Sequence, residues 1–247
     1  MEKAAKPFLL SGNQLKIIAA VTMLIDHIGF ILFPQYLILR VIGRIAFPIY
    51  AFMIAEGCAY TKNKRKYFLG IFSLALLCQI AYFLYDGSRD LGILVTFSLS
   101  ILLIYTLEGI KERLFIKECP KKEKIIAVSV FLLGTLAVYL LNTRYRVDYG
   151  FWGCMAPVFA SVFKNIKNAP LMLKKLDSIG MQVLMLAIAL LILALTPYDI
   201  QLYSFLALPI LFAYSGARGK LKMKRFYYIF YPSHLLILHI ISHFMTR

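Results

Sequence analysis

Long apolar stretches separated by short polar segments run through this chain from Leu15 to Met245. Reading the runs and their breakers predicts nine helices, at about 15–34, 36–60, 67–85, 91–108, 124–142, 150–163, 180–196, 199–214 and 226–245. Ile125–Leu141 and Met181–Leu195 contain no charged residue at all, and a bilayer crossing needs roughly 20 predominantly apolar residues. The expected fold is therefore all-α, a polytopic transmembrane helix bundle of about nine spans. Residues 1–247 are expected to form a single integral membrane domain, with no room for a large soluble one.

Composition excludes the competing classes. The 247 residues are 61% hydrophobic and 16% charged, against roughly 25% charged in an average soluble domain, so neither a soluble globule nor a disordered chain fits. A net charge of +16 would point to nucleic acid in a soluble protein, but the placement of the charge decides otherwise. One set of alternate polar segments holds Lys3 and Lys6, the cluster Lys62–Lys66, the stretches Lys111–Lys124 and Lys164–Lys175, and the stretch Arg218–Arg225, with twenty-one basic residues in all. The other set holds four, Arg89, Arg144, Arg146 and Arg247. Such an imbalance is the positive-inside pattern, which predicts a cytoplasmic N-terminus in a multi-pass protein of the cytoplasmic (inner) membrane. Anionic lipid headgroups suffice as partners for these loops, and no nucleic-acid role is expected. The four cysteines show no paired spacing and predict no structural disulfide.

Ionisable groups inside apolar spans are costly and mark the place to look for function. The first predicted helix carries Lys16, Asp26 and His27; Lys16 and His27 are eleven residues apart, about three turns and roughly 16 Å, and so share a face. The second carries Arg40, Gly43, Arg44, Pro48 and Glu56. Counting outward from the turn near Pro34-Gln35 sets Arg44 level with Asp26 and His27, and Glu56 level with Lys16. One reading is structural, with Asp26–Arg44 and Lys16–Glu56 as ion pairs that pin register. The others are a proton or ion relay, or a reaction site in which the Arg40/Arg44 stripe holds a phosphate or carboxylate. Asp148 and Tyr149 head a lip rich in aromatic residues at the start of the sixth helix, serving as a belt anchor or as a substrate contact. In the last helix His234 is expected at a depth similar to His27, with Pro232 breaking the helix just below it. His239 and His243 are four apart but have no acid or cysteine beside them, and no metal site is expected.

Together Lys16-x10-His27, the stretches Thr22–Gly29, Gly43–Gly57, Thr61–Tyr67, Leu94–Ser100 and Asp148–Cys154, and the Tyr-Pro-x-His-Leu motif within Phe226–Leu238 resemble the TraX family. That family is named for a conjugation protein that acetylates the N-terminus of a pilin subunit, and is distantly similar to the type 3 membrane acyltransferases. The resemblance implies an acyltransferase using acetyl-CoA as donor. It matches Lys16, His27, Arg40 and Arg44 to residues that serve acyl-CoA binding and acyl transfer in those acyltransferases; on the chemistry of the residues, His27, Asp26 and His234 are the catalytic candidates, and Lys16, Arg40, Arg44, Glu56 and Tyr231 the donor-binding candidates. Asp148 and Tyr149 stand as candidates on the side of the acceptor, a protein, glycan or lipid. Elementary chemistry agrees, since acyl transfer needs a base near the acceptor, cations near the donor phosphates or oxyanion, and exclusion of water. The alternative is a small proton-coupled transporter built on the same buried charges.

Overall fold

Ser11 opens the first helix with a reciprocal cap: its hydroxyl accepts the Gln14 amide at 3.4 Å, while the Gln14 side chain accepts the Ser11 amide at 2.8 Å. In this computed structural model, which describes residues 9–116, 119–166, 169–195, 199–220 and 223–245, that helix is α1, Gly12–Ile31. Of the basic residues counted above, Lys3, Lys6, Lys117, Lys167, Lys222 and Arg247 lie outside the described residues. The helices that follow are α2 (Leu37–Gly43), α3 (Ala46–Tyr60), α4 (Lys64–Asp86), α5 (Ile93–Leu114), α6 (Lys121–Arg144), α7 (Gly150–Ser161), α8 (Leu171–Lys174), α9 (Ile179–Ala194), α10 (Ala207–Phe212) and α11 (Lys224–Met245). A 3-10 turn segment, Asp199–Leu206, leads into α10. The described residues form no strand beyond two isolated bridges, so the protein is all-helical.

Among the described residues five helical stretches are long and apolar enough to cross a membrane: Gly12–Ile31, Leu37–Tyr60, Lys64–Leu84, Ile93–Leu114 and Lys121–Arg144. Ile179–Ala194 and Ile200–Phe212 are apolar but shorter. Helices α4 and α6 turn large side chains outward, among them Leu77, Ile80, Leu84, Ile125, Leu133 and Leu136. In water such continuous apolar faces would aggregate, whereas in lipid they are the outer wall.

The chain divides into two compact units, Met1–Met53 with Ala194–Arg247, and Ile54–Leu193. In the first, α1 packs against α2 and α11, and α2 packs against the 3-10 segment. The helix expected over 36–60 is interrupted between α2 and α3 at Arg44 and Ile45, one turn before Pro48. Proline has no amide hydrogen and its ring crowds the carbonyl four residues back, here that of Arg44, so the interruption falls there rather than at the proline itself. Two glycines let α1 and α2 approach: a Cβ on Gly29 would lie 2.6 Å from that of Leu39, and one on Gly43 would overlap the Asp26 side chain. Gly43→Ala is accordingly expected to lower stability by roughly 1–3 kcal/mol through overpacking, read as a drop in thermal midpoint in detergent.

Helix α11 runs unbroken through Pro232, contrary to the break expected there. The proline removes a single amide donor, the one toward Tyr228 O; beyond it the Ser233 hydroxyl donates to Ile229 O at 2.8 Å and Phe230 O at 3.3 Å, and His234 Nδ1 bonds Phe230 O at 2.8 Å.

In the second unit α5 lies against α4, α6 and α7. Hydroxyls join α5 to the head and body of α7, with Thr96 donating to Asp148 O and Ser100 to Cys154 O, each at 2.8 Å. The entry to α7 is tight because Tyr149 and Gly150 both take the left-handed conformation, at φ 61°.

Candidate functional site

Asp26 and His27 are adjacent on α1 and face different partners, as a rotation of about 100° per residue requires. Arg40 Nη1 donates to Asp26 Oδ2 at 2.6 Å and to its backbone oxygen at 3.2 Å, while Arg44 Nη2 reaches both carboxylate oxygens at 2.7 Å. Arg40 also lies over the Phe30 ring, 4.9 Å from its centroid. The i,i+4 spacing of the two arginines brings both guanidinium groups to one carboxylate, and Gly43 between them leaves the room. Asp26 and Arg44 are buried, and the three side chains together carry one excess positive charge.

His27 Nδ1 lies 2.8 Å from His234 Nε2, with the rings stacked at 5.0 Å between centroids. The direction of this bond follows from its far end. The Phe230 carbonyl can only accept, so His234 Nδ1 carries the hydrogen that points at it. With both imidazoles neutral, His234 Nε2 then holds a lone pair, and His27 Nδ1 must donate to it. Nε2 of His27 is left as the basic nitrogen of the pair. The Phe230 ring stacks on His234 at 4.9 Å and the Tyr231 ring meets its edge at 5.8 Å, which fixes the plane of the second imidazole.

The structure thus unites Asp26, His27, Arg40, Arg44, Tyr231 and His234 in the first unit. It divides them into an ionic trio and a histidine pair, with His234 rather than Asp26 touching the His27 ring. Lys16 lies half-buried on α1, in the field of Arg218. The pairing of Lys16 with Glu56 expected from depth is replaced by another. Glu56 belongs to the second unit, where Lys164 Nζ meets its Oε1 at 2.7 Å and Gln182 Nε2 donates to it at 3.0 Å. Burial alone would lower the Lys164 pKa, but Glu56 and Tyr60 together outweigh it and hold the pKa above the ordinary lysine value. Depth counting compared only the first two predicted helices, whereas Glu56 takes Lys164 and Gln182 from far along the chain. Gln182, a polar residue in the apolar run of α9, was the available signal for this network; Lys164 resembled a solvated loop cation. Glu56→Ala should leave the Lys164 ammonium buried beside a cavity and cost about 3–5 kcal/mol, visible as a lower thermal midpoint.

Asp148 and Tyr149 also lie in the second unit, and their backbone role is plain. Asp148 N donates to Leu91 O at 2.9 Å and its carbonyl receives Thr96, while Tyr149 supplies the left-handed turn into α7.

Comparison with known proteins adds the family context. Residues 11–242 match the family described as TraX protein. The chain is 24% identical to a probable fimbrial assembly protein FimC, serogroup H1, of Dichelobacter nodosus, over 92% of this chain and 94% of that one. It is 53% identical over 54 residues to an uncharacterized protein of Rickettsia prowazekii (strain Madrid E), a match covering 22% of this chain and spanning only 21% of the relative's length. No solved structure matches. With a family match running from the start of α1 into α11, the chain belongs to the TraX family.

Proposed function

We propose that this chain is a multi-pass acyltransferase of the inner membrane. It crosses the bilayer about nine times with its N-terminus in the cytoplasm, takes acetyl-CoA from that side, and acetylates an amine or hydroxyl at or beyond the outer leaflet. The observation that carries this reading is the directed histidine pair, which leaves His27 Nε2 as a base beside the Asp26–Arg40–Arg44 trio. Family membership and the likeness to a probable fimbrial assembly protein support an acceptor among pilin-like subunits, with a free N-terminal amine as the acceptor group.

The chemistry runs as acyl transfer does elsewhere. The acceptor nitrogen attacks the thioester carbonyl as His27 Nε2 removes its proton, and the resulting imidazolium is held by its Nδ1–H bond to His234. The excess positive charge of the trio stabilises the oxyanion. Collapse breaks the C–S bond, the proton on His27 passes to the departing thiolate, and an N-acetyl group and free CoA result. His234 acts here as a positioning residue: it fixes the tautomer and plane of His27, the part that a carboxylate plays in a catalytic triad.

A buried histidine pair is also suited to proton movement, the basis of a transporter reading. Calorimetry with acetyl-CoA on the detergent-purified protein separates the two. Binding by the wild type, with release of CoA thiol when a peptide bearing a free N-terminal amine is added, is the expected result. A folded wild-type protein that binds no acetyl-CoA at millimolar concentration would overturn the acyltransferase reading and leave the transporter.

A further inference from the structure

The start of α1 is belted by a distant part of the chain. Leu10 N donates to Ala213 O at 2.6 Å, Gly12 N to Ala217 O at 2.8 Å and Asn13 N to Arg218 O at 3.0 Å, while Ser215 N returns to Leu10 O at 2.8 Å. Gly219 closes the belt in the left-handed conformation, φ 89°, where a Cβ would stand 3.0 Å from both Ser11 Oγ and Asn13 Nδ2. This clasp holds Arg218 over the first turn of α1. Lys16, on the next turn, is half-buried and within the electrostatic reach of Arg218, which is exposed.

No acidic residue lies within nine positions of either in the sequence. Residues 3–25 and 200–247 contain no aspartate or glutamate. The next acid along α1, Asp26, already holds Arg40 and Arg44. Among the described residues neither Lys16 nor Arg218 makes an ion pair. Two like charges held near each other at the end of an apolar helix, one half-buried and the other exposed, favour an incoming anion.

We infer that Lys16 and Arg218 form a phosphate subsite, with Arg218 as a ligand-binding residue that the Lys16-x10-His27 spacing does not reveal. A phosphate takes the forked guanidinium of Arg218 and the compact ammonium of Lys16 together, and its multiple charge matches two cations where a single carboxylate would not. Resting on the acetyl-CoA reading, the subsite takes the donor's pyrophosphate. From Lys16 to His27 is about 16 Å of helix, a distance that an extended pantetheine arm bridges to bring the thioester to the base. The arginine pair then remains with the carboxylate of Asp26 and serves the reacting carbonyl.

A phosphate could also come from an anionic lipid, and the test separates the sources. Wild type, Lys16→Met, Arg218→Met and the conservative Arg218→Lys are purified in a phospholipid-free detergent. Thermal melting identifies which are folded. Acetyl-CoA and inorganic pyrophosphate are titrated by calorimetry, and retention of phosphatidylglycerol is measured in parallel. The expected result is a tenfold or greater loss of affinity for both acetyl-CoA and pyrophosphate in each methionine variant, partly restored in Arg218→Lys. Wild-type affinity for acetyl-CoA, pyrophosphate and phosphatidylglycerol in folded Lys16→Met and Arg218→Met overturns the subsite and leaves the acyltransferase reading standing. Pyrophosphate binding that depends on both residues, in a protein that ignores acetyl-CoA, keeps the subsite and overturns the acyltransferase reading. Loss of phosphatidylglycerol alone keeps the subsite and assigns its phosphate to lipid.

Discussion

His27→Ala is expected to reduce acetyl transfer by roughly 10²–10⁴-fold, the usual contribution of a positioned general base, while acetyl-CoA still binds. The substitution removes the basic Nε2 and leaves the Asp26–Arg40–Arg44 trio untouched, because Asp26 points to a different face of α1. Transfer from labelled acetyl-CoA to a peptide amine, with affinity measured in parallel, checks it. Unchanged turnover would remove His27 from the chemistry. His234→Ala should act more mildly, since it leaves the base in place and removes the partner that holds its tautomer. The pH profile of turnover should move in His234→Ala, a change that loss of packing alone would not produce. Transfer with a wild-type pH profile in His234→Ala would deny His234 the positioning role.

Asp26→Ala is expected to cost about 3–5 kcal/mol, as removing one partner from a buried ionic cluster does. Arg40 and Arg44 would both lose the carboxylate that they share at 2.6–2.7 Å. Since α2 packs on α1 through this contact and the close approach at Gly43, the loss should appear as early melting of the protein in detergent. Replacing Asp26 and Arg44 together by leucine should recover much of that stability, because it removes charges rather than stranding them. If Asp26→Ala melts with the wild type, the trio does not hold the two helices together. If the double variant is stable yet inactive, the trio has a role in the reaction that stability alone does not explain.

Several features were legible because they depend on local rules. Apolar run length marked α1, α4, α5 and α6 to within a few residues at most ends, since any apolar run of that length must form its backbone hydrogen bonds internally. The Asp26–Arg44 pair followed from counting outward across a short turn, which works only near the turn, where a few residues fix the register. Farther out the same count joined Lys16 to Glu56, whereas Glu56 bonds Lys164 and Gln182, which lie far along the chain. Pro232 misled for a related reason. A proline removes one amide donor, and sequence cannot tell whether the helix ends there or, as α11 does, continues through it.

By itself the sequence determined that this is an all-helical chain with helices apolar enough for a bilayer, that its rare ionisable groups gather in the first helical hairpin and the last helix, and that it resembles the TraX family. These follow from composition, periodicity and short-range spacing, which act between near neighbours. Only the tertiary structure decided which partners those groups take. It set His27 against His234 across 207 positions of sequence, aimed the pair through the Phe230 carbonyl, and clasped Arg218 over the start of α1. Such pairings are chosen by the packing of α11 and the 213–219 belt on α1, where burial makes an unmatched polar group expensive and each group takes the partner that the fold brings within reach.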